Sequence, residues 1–349
     1  MQKGEFKHTI RQDLKDIYQF YLNQEARDRL THMSRLRRWL SLLIWLFKSL
    51  LYKLAPVRRI LLIISLVLFF SFNITFTVGH FRIDPGLKGF GFIILLLVLM
   101  LELKDKLLAH NELEAGRAVQ FALMPKKNPE LKGWDIWLFT RPAREVGGDL
   151  VDYLKFPDNR LGIALGDVAG KGLGAALFMA KLQATIRAIA PQFRSLTKLG
   201  KHLNAIFCRD GLPERFISLV YFELKPDNGT IHILNAGHLP PLIVQNKTVK
   251  EIDHGTAALG LKKNITFQDQ CIELKPEDVF VVYSDGITEA RNAEDEFFGE
   301  RRLWEFLKVT EYLSVKEMGQ HIIQEVDRFI GDAKISDDLS LIILKRLKS

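Results

Sequence analysis

The chain has 349 residues, long enough for one to three domains, and only two cysteines, Cys208 and Cys271, whose spacing excludes a CxxC zinc site or a disulfide framework. Its formal charge of +8 comes entirely from residues 1–59, with 13 Lys/Arg against 5 Asp/Glu, while the remaining 36 of each sign cancel. This excludes a basic nucleic-acid groove in the C-terminal part and points to a membrane flank.

Residues 1–58 read as a basic cytoplasmic or interfacial helical segment. Ile10, Leu14, Ile17, Tyr18, Tyr21 and Leu22 recur at helical spacing and predict an amphipathic helix. Residues 39–54 hold either a third span or a helix lying along the bilayer. Lys48 at mid-run is costly inside a bilayer, and Trp45, Tyr52 and Lys53 suit the interface, which favours the second reading.

Residues 59–103 predict a transmembrane helical hairpin. No charge interrupts 60–78, about the length of a span. The second run, 89–103, is shorter, and Lys88 and Lys104 flank it as residues able to snorkel. The intervening loop carries only Arg82 and Lys88, so the positive-inside rule places both termini in the cytoplasm of an inner-membrane, multi-pass protein.

Residues 104–125 predict a connector helix. Leu107, Asn111, Glu114, Ala118 and Phe121 advance by three or four, and Pro125 stops it. The readings open to it are a lever, a homodimer contact or a spacer packed on the next domain.

From 126 to 349 the pattern changes to short strands, at 136–140, 150–156, 161–165, 216–224, 230–234, 241–244, 265–274, 278–283 and 339–344. Helices are predicted at 175–189, 196–207, 300–309 and 315–330. Pro226-Asp-Asn-Gly229 marks a hairpin turn. The class is α+β, with helices covering an antiparallel sandwich.

Four aspartates sit where strands begin or end: Asp149, Asp167, Asp285 and Asp337. Each alone suits a turn. Together they form an all-oxygen donor set suited to Mg²⁺ or Mn²⁺, and metal-assisted hydrolysis becomes the leading chemistry. Lys171 lies between glycines, but GxxxxGK[ST] is absent, which disfavours a P-loop NTPase. Gly147-Gly-Asp149 continues with Leu150 instead of an acidic residue, which disfavours a diguanylate cyclase.

Several ordered stretches carry a family resemblance. They are Leu123-Met-Pro125, Arg141-Pro-Ala-Arg-Glu-Val-Gly-Gly-Asp149, Gly166-Asp-Val-Ala-Gly-Lys-Gly172, Asn235-Ala-Gly-His-Leu-Pro-Pro241, Ser284-Asp-Gly-Ile-Thr-Glu289 and Asp337-Asp-Leu-Ser340. From about Glu114 onward the chain resembles the PPM family of metal-dependent serine/threonine protein phosphatases, in its bacterial stress-response and sporulation branch. The resemblance implies an αββα sandwich with two Mn²⁺ or Mg²⁺ ions and attack by metal-activated water. It further implies that Asp167 bridges the ions with the Val168 carbonyl on one of them, that Asp285 and Asp337 hold the other, and that Asp149 is a ligand or orients water. Arg144 would bind the substrate phosphate.

The chain departs from the eukaryotic pattern at Ala169, where those relatives carry histidine, which leaves the general acid open. His238 is a candidate, with a turn histidine bonded to backbone as the simpler reading. Asp338 stands where many relatives carry asparagine, as a supporting residue. The expected protein is a membrane-anchored phosphatase acting on a phosphorylated regulatory protein, an anti-sigma-factor antagonist. The alternative is a catalytically silent scaffold of the same fold.

Overall fold

The computed structural model describes residues 33–70, 76–78, 81–83, 87–210, 215–226 and 229–348. The helix expected around residues 10–22, much of the loop between the apolar runs, and the centre of the turn at 227 and 228 lie outside them. The chain forms two compact units, one up to residue 109 and one from residue 110.

The first unit contains α1 (Arg35–Lys53), α2 (Pro56–Phe70), a small ribbon of β1 (Phe76–Val78) and β2 (Phe81–Ile83), and the first part of α3 (Leu87–Leu123). Pro56 opens α2, where its missing N–H costs nothing. Arg59 donates to Leu51 O at 2.7 Å and Tyr52 O at 3.2 Å, satisfying carbonyls that the end of α1 leaves open. Ser65 Oγ donates to Gly91 O at 2.8 Å. A Cβ on Gly91 would lie 2.8 Å from Ser65 O and 2.9 Å from Phe69 N, so α2 and α3 meet backbone to backbone. Arg58 ties the other end of the pair to Glu102 at 2.8 Å and to Asp105.

Two expectations need correction here. The run 60–78 is not one helix: α2 ends at Phe70, and Phe76, Thr77 and Val78, aromatic and β-branched, form a strand. At about 1.5 Å per residue α2 is shorter than a bilayer core of about 30 Å. The second apolar run and the connector are also not separate elements, because α3 runs unbroken for 37 residues. Charges from Glu102 onward change its surface, but no proline interrupts its hydrogen bonds. Among the described residues, the one stretch long and apolar enough to cross a membrane is Leu173–Gln192, which packs into the core of the second unit.

The second unit is a sandwich of two five-stranded antiparallel sheets. The first, in the order β10-β7-β6-β5-β4, contains β4 (Leu150–Lys155), β5 (Leu161–Val168), β6 (Ile217–Leu224), β7 (Thr230–Ala236) and β10 (Gln270–Glu273). The second, in the order β3-β12-β11-β8-β9, contains β3 (Trp134–Arg141), β8 (Leu242–Gln245), β9 (Thr248–Glu251), β11 (Val279–Tyr283) and β12 (Leu339–Arg346).

Leu161, Ile163, Leu165, Val220 and Phe222 of the first sheet meet Ile136, Phe280, Val282, Ile342 and Leu344 of the second. The rings of Phe222 and Phe280 cross at 5.1 Å between centroids. The alternate residues face outward but are buried too. α4 (Leu173–Ile189) and α5 (Leu196–Asp210) cover the first sheet, while α7 (Glu300–Thr310) and α8 (Val315–Ile330) cover the second. β5, β6, β11 and β12 are therefore almost wholly buried on both faces, which is why they read as nearly continuous apolar runs. Ser314 and Glu317 close a capping box at the start of α8. A one-turn α6 (Asp285–Thr288) follows β11. The αββα sandwich expected from the sequence is thus the fold of this unit.

Candidate metal centre

Strand register brings the acidic residues to one edge of the sandwich. Leu150 pairs with Gly166 across β4 and β5, so Asp149, one residue before β4, falls opposite Asp167. In the second sheet Tyr283 pairs with Leu341, and Ser284 N donates to Ser340 O at 3.0 Å. Asp285 and Asp337 emerge just beyond that rung. The four aspartates read from the sequence are therefore brought together, two from each sheet. Burial, followed by the charges of Asp285, Asp337 and Asp338, pushes the Asp167 carboxyl up to about 7. Burial and then Asp337 raise Asp285.

Asp149 is 4 % exposed, and its Oδ2 has no hydrogen-bond partner. Burial, then Asp167, then Asp338, hold its carboxyl well above the usual range. A buried, unpartnered carboxylate oxygen is unfavourable unless a proton or cation compensates it. Val168 fills the core with its side chain, while its carbonyl lies 3.2 Å from where a Cβ on Gly148 would sit, beside Asp167. Carboxylates plus a carbonyl, all oxygen, fit a hard divalent cation. Among the described residues, as placed, no three acidic, imidazole or thiol side chains stand close enough together to hold a metal ion. Repulsion among uncompensated carboxylates opposes a closer approach.

Asp338 is one residue whose position the sequence left vague. It is buried and accepts backbone N–H groups from Ala143 at 2.8 Å, Gly148 at 2.6 Å and Asp149 at 3.2 Å. Burial raises its carboxyl, and these three donors oppose that rise. Gly147 has no room for a side chain, because a Cβ there would overlap the Asp338 carboxylate.

Lys171 also takes a place the glycines around it did not reveal. Its ammonium reaches Asp337 Oδ2 and Ser336 O, both at 2.8 Å. Arg144 is exposed and lines a narrow cleft with Asp167, Lys171, Asp337 and Asp338.

His238 sits beneath this edge. Its Nδ1 is 2.9 Å from Ser218 Oγ, its N–H donates to Asn235 Oδ1 at 2.9 Å, and Asn235 Nδ2 returns a bond to its carbonyl. Ser218 pairs with Asp167 across β5 and β6. Burial lowers the imidazole to about 4, so it is neutral near pH 7. The ring is buried in a turn, as the simpler sequence reading had it, but its Nδ1 bonds to the Ser218 side chain instead of to backbone, and a neutral imidazole is a weak proton donor.

The fold of this unit is that of PP2C phosphatase domains. The SiaA PP2C domain of Pseudomonas aeruginosa superposes with a TM-score of 0.59 at 18 % identity, covering 70 % of this chain and 99 % of that one. The PP2C domain with a fragment of the regulatory domain of SpoIIE from Bacillus subtilis gives 0.52 at 17 %, covering 63 % and 64 %. The model of the Stage II sporulation protein E family matches residues 157–347, and the chain belongs to that family. Protein IcfG of Synechocystis is 29 % identical over 308 residues, 79 % of this chain but 48 % of that protein, so the chain spans about half the length of this relative. Phosphoserine phosphatase RsbU of Bacillus subtilis is 26 % identical over 238 residues, covering 68 % of this chain and 70 % of RsbU.

Proposed function

We propose that this protein is a metal-dependent phosphoserine/phosphothreonine protein phosphatase, held at the inner membrane with its second unit in the cytoplasm. The observation that carries the reading is the buried Asp149 oxygen without a partner, beside an Asp167 carboxyl pushed up by its acidic neighbours. Asp149, Asp167, Asp285, Asp337 and the Val168 carbonyl would hold two Mn²⁺ or Mg²⁺ ions. Such ions supply a strongly acidified water and Lewis-acid stabilisation of phosphoryl oxygens. Arg144 binds and orients the phosphoryl group from the rim. Asp338 keeps the backbone leading to Asp149 in place. His238 stays neutral and takes no part in proton transfer.

The name of RsbU, a phosphoserine phosphatase, supports phosphoserine as the group hydrolysed. The phosphorylated regulatory protein, an anti-sigma-factor antagonist, is the partner implied by the resemblance of the sequence motifs. The apolar exposed surfaces of α2 and α3 support membrane anchoring: Ile60, Ile63, Val67, Phe92, Ile93 and Leu99 lie on the outside of the first unit. The basic excess before residue 60 supports a cytoplasmic N-terminus.

The test is hydrolysis of p-nitrophenyl phosphate and of a phosphoserine protein by the detergent-solubilised full chain, with and without Mn²⁺. Mn²⁺-dependent turnover that Asp285→Asn abolishes is expected. Metal binding without turnover of either substrate would favour the silent scaffold instead.

A further inference from the structure

We infer that Gln120 is a positioning residue for the carboxylate set, an inference that rests on the metal-dependent reading above. Gln120 lies near the end of α3, between Val119 and Phe121, both exposed, yet it is itself only 4 % exposed. Its amide is used on both sides. Nε2 donates to Gly147 O at 2.7 Å, and Oε1 accepts the Gly147 N–H at 3.1 Å. One side chain thus satisfies both backbone groups of a single residue, as a neighbouring strand would.

Gly147 stands two residues before Asp149, in a segment without strand or helix structure from 142 to 149. That segment has two grips. Asp338 holds Ala143, Gly148 and Asp149 by their N–H groups, and Gln120 holds Gly147 at both ends of its peptide geometry. Releasing the second grip leaves two buried backbone groups unpaired and frees the chain that aims Asp149 at Asp167. Groups that orient metal-binding side chains from behind are worth about 10–100-fold in metal affinity.

Gln120 is not the sole tie of the helix to the second unit. The Leu123 carbonyl at the end of α3 accepts from Gln183 Nε2 at 2.8 Å. That tie stays intact when Gln120 is changed, so loop positioning is separable from helix attachment.

The experiment compares the full chain with Gln120→Met, which keeps length and volume but neither hydrogen bond. Gln183→Met serves as an attachment control, and Val119→Ala as an exposed one. Mn²⁺ affinity is read from the EPR signal of free Mn²⁺, alongside thermal unfolding. Gln120→Met is expected to raise the Mn²⁺ dissociation constant about ten-fold or more, with Gln183→Met and Val119→Ala close to wild type. Unchanged affinity in Gln120→Met overturns the inference, and so does an equal loss in Gln183→Met, which would make attachment the cause. Should Gln120→Met not purify folded, Gln120→Glu, which keeps only the acceptor, is read in the same way. A wild-type chain that binds no Mn²⁺ is a different result, visible without any variant, and it removes the metal-dependent reading together with this one.

Discussion

Asp149 and Asp167 face each other one rung beyond the Leu150–Gly166 pair, and the charge of Asp167 lifts the Asp149 carboxyl while a hydrogen bond from Asp149 favours ionised Asp167. Burial and mutual repulsion therefore favour the protonated form of both acids when no cation is bound. Site and stability are in opposition there: the arrangement that suits a cation destabilises the protein without one.

Asp167→Asn removes a buried like charge. In EDTA the variant is expected to melt above wild type, and the rise in melting temperature that Mn²⁺ gives the wild type is expected to vanish. Activity should fall by about 100-fold or more, corresponding to about 3 kcal/mol of lost transition-state stabilisation. A variant that melts below wild type in EDTA would contradict the repulsion argument.

The pH dependence has a definite sign. The Asp167 carboxyl is raised from 3.8 to about 7 in the folded protein, so between those values the folded state binds a proton that the unfolded state has released. The contribution of Asp167 to the stability of the metal-free protein should thus decline as pH rises from about 4 to about 7 and level off above, and Asp149, also raised, acts in the same direction. Unfolding midpoints in EDTA, compared between wild type and Asp167→Asn, measure the slope; identical slopes would refute the assignment.

Arg144→Ala tests the phosphate site. Its side chain lines the cleft without supporting the carboxylates, so KM for a phosphoserine protein should rise about ten-fold while Mn²⁺ affinity stays unchanged. A fall in Mn²⁺ affinity would show that the guanidinium supports the metal set.

His238→Gln should leave the shape of the pH–rate profile intact, because the ring is already neutral across the working range. Loss of the bond to Ser218 should lower stability by about 1 kcal/mol. A profile that loses its alkaline limb in the variant would restore His238 as the acid.

Gly91→Val inserts a branched side chain where α2 and α3 touch through their backbones. Overpacking of this kind costs about 1–3 kcal/mol. Detergent-denaturation midpoints of the full chain should fall accordingly, and an unchanged midpoint would mean that the two helices are not in close contact.

Strands flanked by turn residues were the most legible part of the chain. The run 278–283 and the helix at 315–330 match β11 and α8 almost residue for residue, since dry faces and a capping box leave a clear local pattern. β9 escaped notice because only Val249 of its four residues is buried. The division of α3 into span and connector followed a change of surface charge, to which the backbone hydrogen bonds of a helix are indifferent. The convergence of the aspartates was readable from their places beside strands, and Asp338 was readable as a supporting residue, but its backbone partners and the role of Gln120 were not. Both depend on hydrogen bonds to main-chain atoms far away in sequence, 27 positions for Gln120 and Gly147 and 190 for Asp338 and Gly148, which leave no trace in local spacing.

β3 and β12 are paired from Arg141 with Leu339 to Trp134 with Arg346, joining the first and last strands of the second unit. On the ribosome, β3 thus emerges some two hundred residues before the strand that receives it. Asp337 and Asp338 arrive with that late strand. A nascent chain interrupted before it would present the other aspartates without their last partners and with one sheet still open, so no cation can be captured until β12 has been made.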